Sequence, residues 1–370
     1  MIADRLLRPD VVQMEAYTPI VPFEVLSARL GRAPEAITKL DANENPYGPP
    51  PRALAALAEG RAYHVYPDPE STALRRAIAA YTGAPFERLL AGMGADELID
   101  LILRAVITPG DVVIDCPPSF GMYPFSTAVN AGHYVAAPRR ADFSLDVGAI
   151  EDAVVRNPRA KVLFLCSPNN PDGSIIDDDT LRRLLALPVL IVLDEAYVDY
   201  ACAEGVASRL NWVERHENLL VLRTFSKLAG LAGLRVGYGA FPAWLLPHLW
   251  KIKQPYNVNV AASQAAIAAL EDVAWLNDKL GRLVAERERL RRDLATFDYL
   301  EPYPSHANFV LCRVRGRSAA GLKQALEAEG VLVRYFNKPG LANCIRISAG
   351  RPEDTDRLIA ALQRIVGQGG

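Results

Sequence analysis

The sequence predicts an α/β fold, a large domain with a mostly parallel central sheet between helices followed by a smaller α+β domain. Three observations predict it. Apolar runs such as VLFLC (162–166) and VLIVL (189–193) show no polar alternation, so both faces of those strands are covered. Between such runs lie segments of helical period, as at Leu98, Ile99, Ile102, Val106 and Ile107. Strands separated by helices pair in parallel. A length of 370 residues also leaves room for a second unit.

The elements follow in order along the chain. Pro19, Pro22, Pro34, Pro46, Pro49, Pro50 and Pro51 break up the first sixty residues, leaving a short helix over 23–32 that Gly31 ends. Residues 1–48 are therefore expected to form an arm laid over the rest. The large domain, 49–260, carries strands at 112–115, 162–166, 189–193, 219–222 and 235–239, with helices at 95–107 and 178–186. The small domain, 261–370, opens with a long helical stretch to 297. The charged run at 286–293 mixes signs and predicts a solvated helix face. Strands at 308–314 and 344–348 and helices at 319–329 and 352–366 complete it. No internal repeat or low-complexity tract is present.

Composition excludes several classes. Half of the residues are hydrophobic and 41 basic side chains face 43 acidic ones, so no net field favours nucleic acid or an anionic membrane. No apolar stretch approaches the ~18 residues of a membrane span. The first ten residues, with Asp4, Arg5, Arg8 and Pro9, lack the apolar core of a signal peptide, and a cytoplasmic location is expected. Cys116, Cys166, Cys202, Cys312 and Cys344 are odd in number and form no CxxC pair, which suits reduced thiols and no metal site. The chain contains no GxxxxGK, no GxSxG and no HExxH.

Chemistry gathers at three consecutive strand ends, where ligands of open α/β sheets bind. The strand ending at 166 runs into SPNNP (167–171), the next into DEAY (194–197), and the third into RTFSK (223–227), with Arg235 eight residues beyond the lysine. A lysine against an apolar sheet has its pKa lowered, as a Schiff-base nucleophile needs. An aspartate at a strand end can hold a heterocyclic nitrogen protonated, as in pyridoxal phosphate enzymes. Tyr and Asn can hydrogen-bond a phenolic oxygen. Thr224, Ser226 and the Arg235 fork can take a phosphate. GMGADE (92–97) opens a helix whose free N–H groups can cradle the same phosphate.

The phrases KLDANENPYGP (39–49), YPD (66–68), GADE (94–97), CPPSFGMY (116–123), SPNNP, DEAY and TFSKLAGLAGLRVGY (224–238) resemble fold-type I pyridoxal-phosphate aminotransferases. Among these, they are most similar to the histidinol-phosphate aminotransferase family of histidine biosynthesis. The resemblance runs in order from about residue 15 to 350. It implies pyridoxal 5'-phosphate as cofactor, with Lys227 bonded to it and moving the substrate proton. Asp194 would pair with the ring nitrogen, Asn170 and Tyr197 with the ring 3-hydroxyl, and Phe120 would stack on the ring. Ala95, Asp96, Thr224, Ser226 and Arg235 would hold the phosphate. Tyr66 would reach the cofactor phosphate of a neighbouring subunit, which implies a homodimer. Arg346 would bind the acidic group of the substrates, histidinol phosphate and glutamate, and Arg334 and Tyr17 would help to read the substrate phosphate.

Two positions depart from the family pattern. Phe120 stands where a tyrosine is usual, and Asp172 replaces the threonine of an Asn-Pro-Thr-Gly turn, adding negative charge near the pocket. An aromatic aminotransferase and a phosphothreonine decarboxylase share these motifs, and a non-catalytic cofactor-binding regulator is the reading from another class. The intact catalytic set and the lack of an attached DNA-binding module weigh against the last.

Overall fold

The computed structural model describes residues 6–16, 22–60 and 62–367. The first strand, β1 (Thr38–Leu40), precedes seven that form one sheet: β2 (Leu89–Gly92), β3 (Val112–Asp115), β4 (His133–Ala136), β5 (Ala160–Cys166), β6 (Leu190–Asp194), β7 (Leu219–Thr224) and β8 (Gly237–Ala240). Their order is β2-β8-β7-β6-β5-β3-β4. Only β8 runs against its neighbours; the other pairs are parallel. The second sheet adds β9 (Leu300–Pro302), β10 (Phe309–Val314), β11 (Val331–Tyr335) and β12 (Cys344–Ser348), in the order β1-β11-β12-β10-β9.

The unbroken apolar runs are explained by two cores, one on each face of the large sheet. Val162, Phe164, Val192, Leu220 and Leu222 pack with Leu98, Ile99 and Ile102 of the helix Ala95–Val106. The alternate residues Leu163, Leu165, Ile191, Leu193, Leu219 and Val221 pack with Ile150, Leu181 and Ala265 on the other side. Each such side chain contributes roughly 1.5–3 kcal/mol when fully buried. Because β5, β6 and β7 are parallel and in register, Cys166 lies beside Asp194, and Asp194 beside Leu222. The three loaded turns therefore emerge at one edge.

The small sheet alternates instead. Val310, Cys312, Val331, Val333, Ile345 and Ile347 share one core, while Arg334, Arg346 and Ser348 take the intervening positions on the opposite face.

Two expectations need correction. The stretch from 261 to 297 is two helices, Val260–Glu271 and Val273–Leu294, parted at Asp272. The first packs on the helices Pro51–Glu59 and Thr72–Thr82. The run at 286–293 is only in part a solvated face. Leu283, Glu286, Arg287, Leu290 and Leu294 lie on one buried stripe of their helix, as its 3.6-residue period dictates. Arg287 is only 1% exposed. It pairs with Glu204 and with Glu288 (3.0 Å), and donates to the Ala307 carbonyl (3.3 Å). Charge alternation hid this stripe, because a buried ion pair and a solvated one read alike in sequence.

The helix Phe23–Leu30 ends, as expected, at Gly31 with φ +60°. Cys116, Cys166, Cys312 and Cys344 are buried and all five thiols are free. Among the described residues, no helix is long and apolar enough to cross a membrane, and no group of side chains is suited to hold a metal.

Candidate active site

Lys227 follows β7 by three residues, over the Tyr197 ring (5.4 Å from Nζ to the centroid). Burial, and next the positive charge of Arg346, lower its pKa to about 8; Glu44, Asp96 and Asp194 act the other way. Among the described residues its Nζ enters no hydrogen bond or ion pair, so the amine is available as a nucleophile.

Asp194 closes β6, buried. One carboxylate oxygen accepts from the Tyr123 hydroxyl (2.8 Å) and the other from the Ala196 N–H (3.0 Å). Burial raises its pKa to about 6, against the pull of those bonds. A positive partner would restore it to full charge, as a protonated ring nitrogen does.

An anion cradle lies beside these two. The helix Ala95–Val106 begins without a side-chain cap, so its first N–H groups are open. Gly94 has φ +80°, and a Cβ there would sit 2.9 Å from Arg235 Nη2; a Cβ on Gly237 would sit 2.7 Å from the Ala95 nitrogen. The close approach of the two turns thus requires glycine at both positions. Arg235 does not begin a strand as expected. It occupies the left-handed region (φ +54°) just before β8, which turns its guanidinium toward the helix start. Its Nη2 donates to Asp96 (3.0 Å), so what Asp96 offers an anion is its backbone N–H. Thr224 and Ser226 hydroxyls lie 2.9 Å apart at the end of β7. These donors would suit the phosphate of a cofactor held near Asp194 and Lys227.

The small sheet supplies the opposite wall. Arg346 donates from Nη1 to Asn170 Oδ1 (2.5 Å) and from Nη2 to the Asp41 carbonyl (2.8 Å). The Asn170 carbonyl end is thereby committed to the arginine, which leaves its NH2 end for a ring oxygen. Arg334 is the in-register partner of Arg346, and both guanidinium carbons lie 5.5 Å from the centroid of one ring, Phe336.

The sequence pattern described as aminotransferase class I and II matches residues 35–362. The chain belongs to that family. A chloroplastic histidinol-phosphate aminotransferase of Nicotiana plumbaginifolia is 54% identical over 361 residues, 97% of this chain and 86% of the relative. A histidinol-phosphate aminotransferase of Roseiflexus castenholzii is 52% identical over 368 residues, covering 97% of this chain and 98% of the other. Among solved structures, histidinol-phosphate aminotransferase from Sinorhizobium meliloti, in complex with pyridoxal 5'-phosphate, superposes with a TM-score of 0.87 at 30% identity, covering 99% and 98% of the two chains. This agrees with the fold-type I architecture expected of the sequence.

Within this aminotransferase, the sequence-predicted residues are placed unequally. Lys227, Asp194, Tyr197, Asn170 and Arg346 converge; Ala95, Asp96 and Arg235 meet at the helix start, with Thr224 at the end of β7 and Ser226 in the turn that leads to the lysine. Phe120 packs edge-on against Tyr123 (5.6 Å). Tyr66 stands on the surface, 79% exposed and stacked on Tyr256 at 4.6 Å. Tyr17 lies outside the described residues. Asp172 is buried and accepts from Asn169 and from the Ser174 N–H (2.8 Å), so its charge is engaged in its own turn. Two residues escaped sequence reasoning. Tyr123 stacks on Phe164 at 4.6 Å and reaches Asp194, and its only signal was its place in CPPSFGMY. Asn43 donates to the Tyr197 hydroxyl (3.1 Å) from within KLDANENP, a phrase that carried family likeness without a role.

Proposed function

We propose that this aminotransferase uses pyridoxal 5'-phosphate to exchange an amino group between histidinol phosphate and 2-oxoglutarate, within L-histidine biosynthesis. The cofactor supplies an electron sink for the carbanion formed at the substrate Cα. The chain's own residues do the rest. Arg235, Ser226, Thr224 and the N–H groups of Ala95 and Asp96 bind the cofactor phosphate. Asp194 keeps the ring nitrogen protonated, Phe120 covers the ring, and Asn170 and Tyr197 hydrogen-bond its 3-oxygen. The Lys227 amine, with its lowered pKa, takes the proton from Cα and returns it on the other side of the exchange.

The observation that carries the substrate reading is the pairing of Arg334 with Arg346 on the small-sheet face. Histidinol phosphate has no α-carboxylate, whereas glutamate has one, and one guanidinium fork can bind either anion. A second arginine favours the more highly charged phosphate. The names of the relatives at 52–54% identity support the same reading.

The division proposed is an arm over 1–48, a cofactor-binding unit over 49–260 and a smaller substrate-closing unit over 261–370. Tyr66 belongs to a homodimer in which it reaches the partner's cofactor phosphate, a role its exposure supports. A cytoplasmic location suits the five free thiols.

The test is a pair of half-reactions followed by the cofactor's absorbance. Glutamate and histidinol phosphate are both expected to convert it. Faster conversion by phenylalanine or tyrosine than by histidinol phosphate would retire the substrate assignment while leaving the class intact.

A further inference from the structure

The Asn43 side chain, from the N-terminal segment, touches the Tyr197 hydroxyl, and its local structure is costly. It is 1% exposed and adopts φ +56°, a left-handed conformation that asparagine tolerates better than most residues. Each of its polar groups has a partner. The backbone N–H donates to Ser348 Oγ (2.9 Å), and Ser348 Oγ donates back to Asn43 Oδ1 (2.9 Å). The backbone carbonyl accepts from Asn308 Nδ2 (3.0 Å). The side-chain NH2 donates to the Tyr197 hydroxyl (3.1 Å). Three of these four contacts fasten Asn43 to the small sheet and its entry, and the fourth crosses to the strand-end turn of the large sheet. Two residues before it, the Asp41 carbonyl accepts from Arg346.

From this geometry we infer that Asn43 is a positioning residue for Tyr197. By filling one lone pair of the phenol oxygen, its NH2 directs the Tyr197 proton outward, toward the ring oxygen of the cofactor, and polarises it as a donor. The Tyr197 ring is held separately, edge-on to Phe309 at 5.1 Å, so Asn43 governs the hydroxyl proton rather than the position of the ring. The charged groups facing this hydroxyl are Arg346 from β12, Lys227 from the turn after β7 and Asp194 from β6. Because Asn43 is bonded to Ser348 and Arg346 to Asp41, the arm segment joins the strand that meets the substrate's anion to the phenol that meets the cofactor.

The inference rests on the cofactor reading above, and its test separates the two. A donor to the ring oxygen draws on that oxygen's negative charge and so weakens its hold on the proton of the neighbouring lysine nitrogen. Removing the donor raises the pH at which the bound cofactor's visible absorbance changes. The experiment titrates this absorbance in the holoenzyme for wild type, Asn43→Gly, Tyr197→Phe and the double variant. Glycine keeps the φ +56° backbone accessible and deletes only the amide.

Asn43→Gly is expected to raise the midpoint by about half a pH unit, and Tyr197→Phe by more. The double variant should match Tyr197→Phe alone, because the amide acts only through that hydroxyl. Ser348→Ala, which loosens the Asn43 amide without touching Tyr197, should give a smaller rise of the same sign. An unmoved midpoint in a folded, cofactor-loaded Asn43→Gly chain would overturn the inference. So would a shift that adds fully to that of Tyr197→Phe, since a merely structural role would act in both backgrounds. A wild-type chain without the absorbance band would sink the cofactor reading and this one with it.

Discussion

In the seven-stranded sheet, β5 to β7 are apolar along most of their length and Asn170, Asp194 and Lys227 stand at or past their ends, whereas in the five-stranded sheet Arg334 and Arg346 lie within β11 and β12. The difference follows from what covers each sheet. Two cores enclose the parallel sheet, so a charge within a strand costs several kcal/mol unless it is paired, as Arg223 near the end of β7 is with Asp199. The smaller sheet packs its Val and Ile residues on one face and can therefore place guanidiniums on the other. In the proposed reading, covalent chemistry belongs to the rigid double-faced layer and anion recognition to the face of the lighter one.

Lys227→Ala tests that division most severely. Loss of the nucleophile and proton carrier is expected to reduce transamination on the order of 10⁴-fold or more, while the anion cradle still retains the cofactor. Single-turnover rates measure it, and survival of more than a few per cent of the wild-type rate would move the chemistry elsewhere. Arg346→Lys probes the other sheet. It keeps the charge and forfeits the fork, so KM for glutamate and histidinol phosphate should rise about 10- to 100-fold with kcat changed less. An equal collapse of kcat would show that the small-sheet arginine belongs to the chemical step.

The smallest effect couples the sheets. Because burial and the Arg346 charge lower the Lys227 pKa to about 8, the neutral amine grows with pH up to that value. The rate of loading cofactor onto the stripped chain should climb about tenfold per pH unit below 8 and flatten above it. In Arg346→Ala the repulsion is gone and the plateau should begin at higher pH. An unshifted plateau would mean that the two sheets act on their ligands independently.

The same contrast explains what could be read in advance. Buried parallel strands announce themselves as unbroken apolar runs, so β5, β6 and β7 and their turns were legible, and with them Asn170, Asp194 and Lys227. The edge strand β4, with His133 exposed, and the three-residue β1 carry no such signature. Asn43 and Ser348 are 305 positions apart, and their bond depends on how the arm closes on the small sheet. Tyr123 reads as an ordinary core aromatic until the register of β6 sets Asp194 over it. Arg287 was misread because polarity, taken residue by residue, says nothing about which side of a helix meets the core.

Phe336, whose ring Arg334 and Arg346 share, bears on how the two cations are held together. A carboxylate placed there would hold the two cations as well, but its oxygens would take up N–H donors and cancel their positive charge. An aromatic face attracts cations through its quadrupole and occupies no donor. Phe336 thus serves as a neutral counter-ion, keeping two like charges in company without an acid group between them.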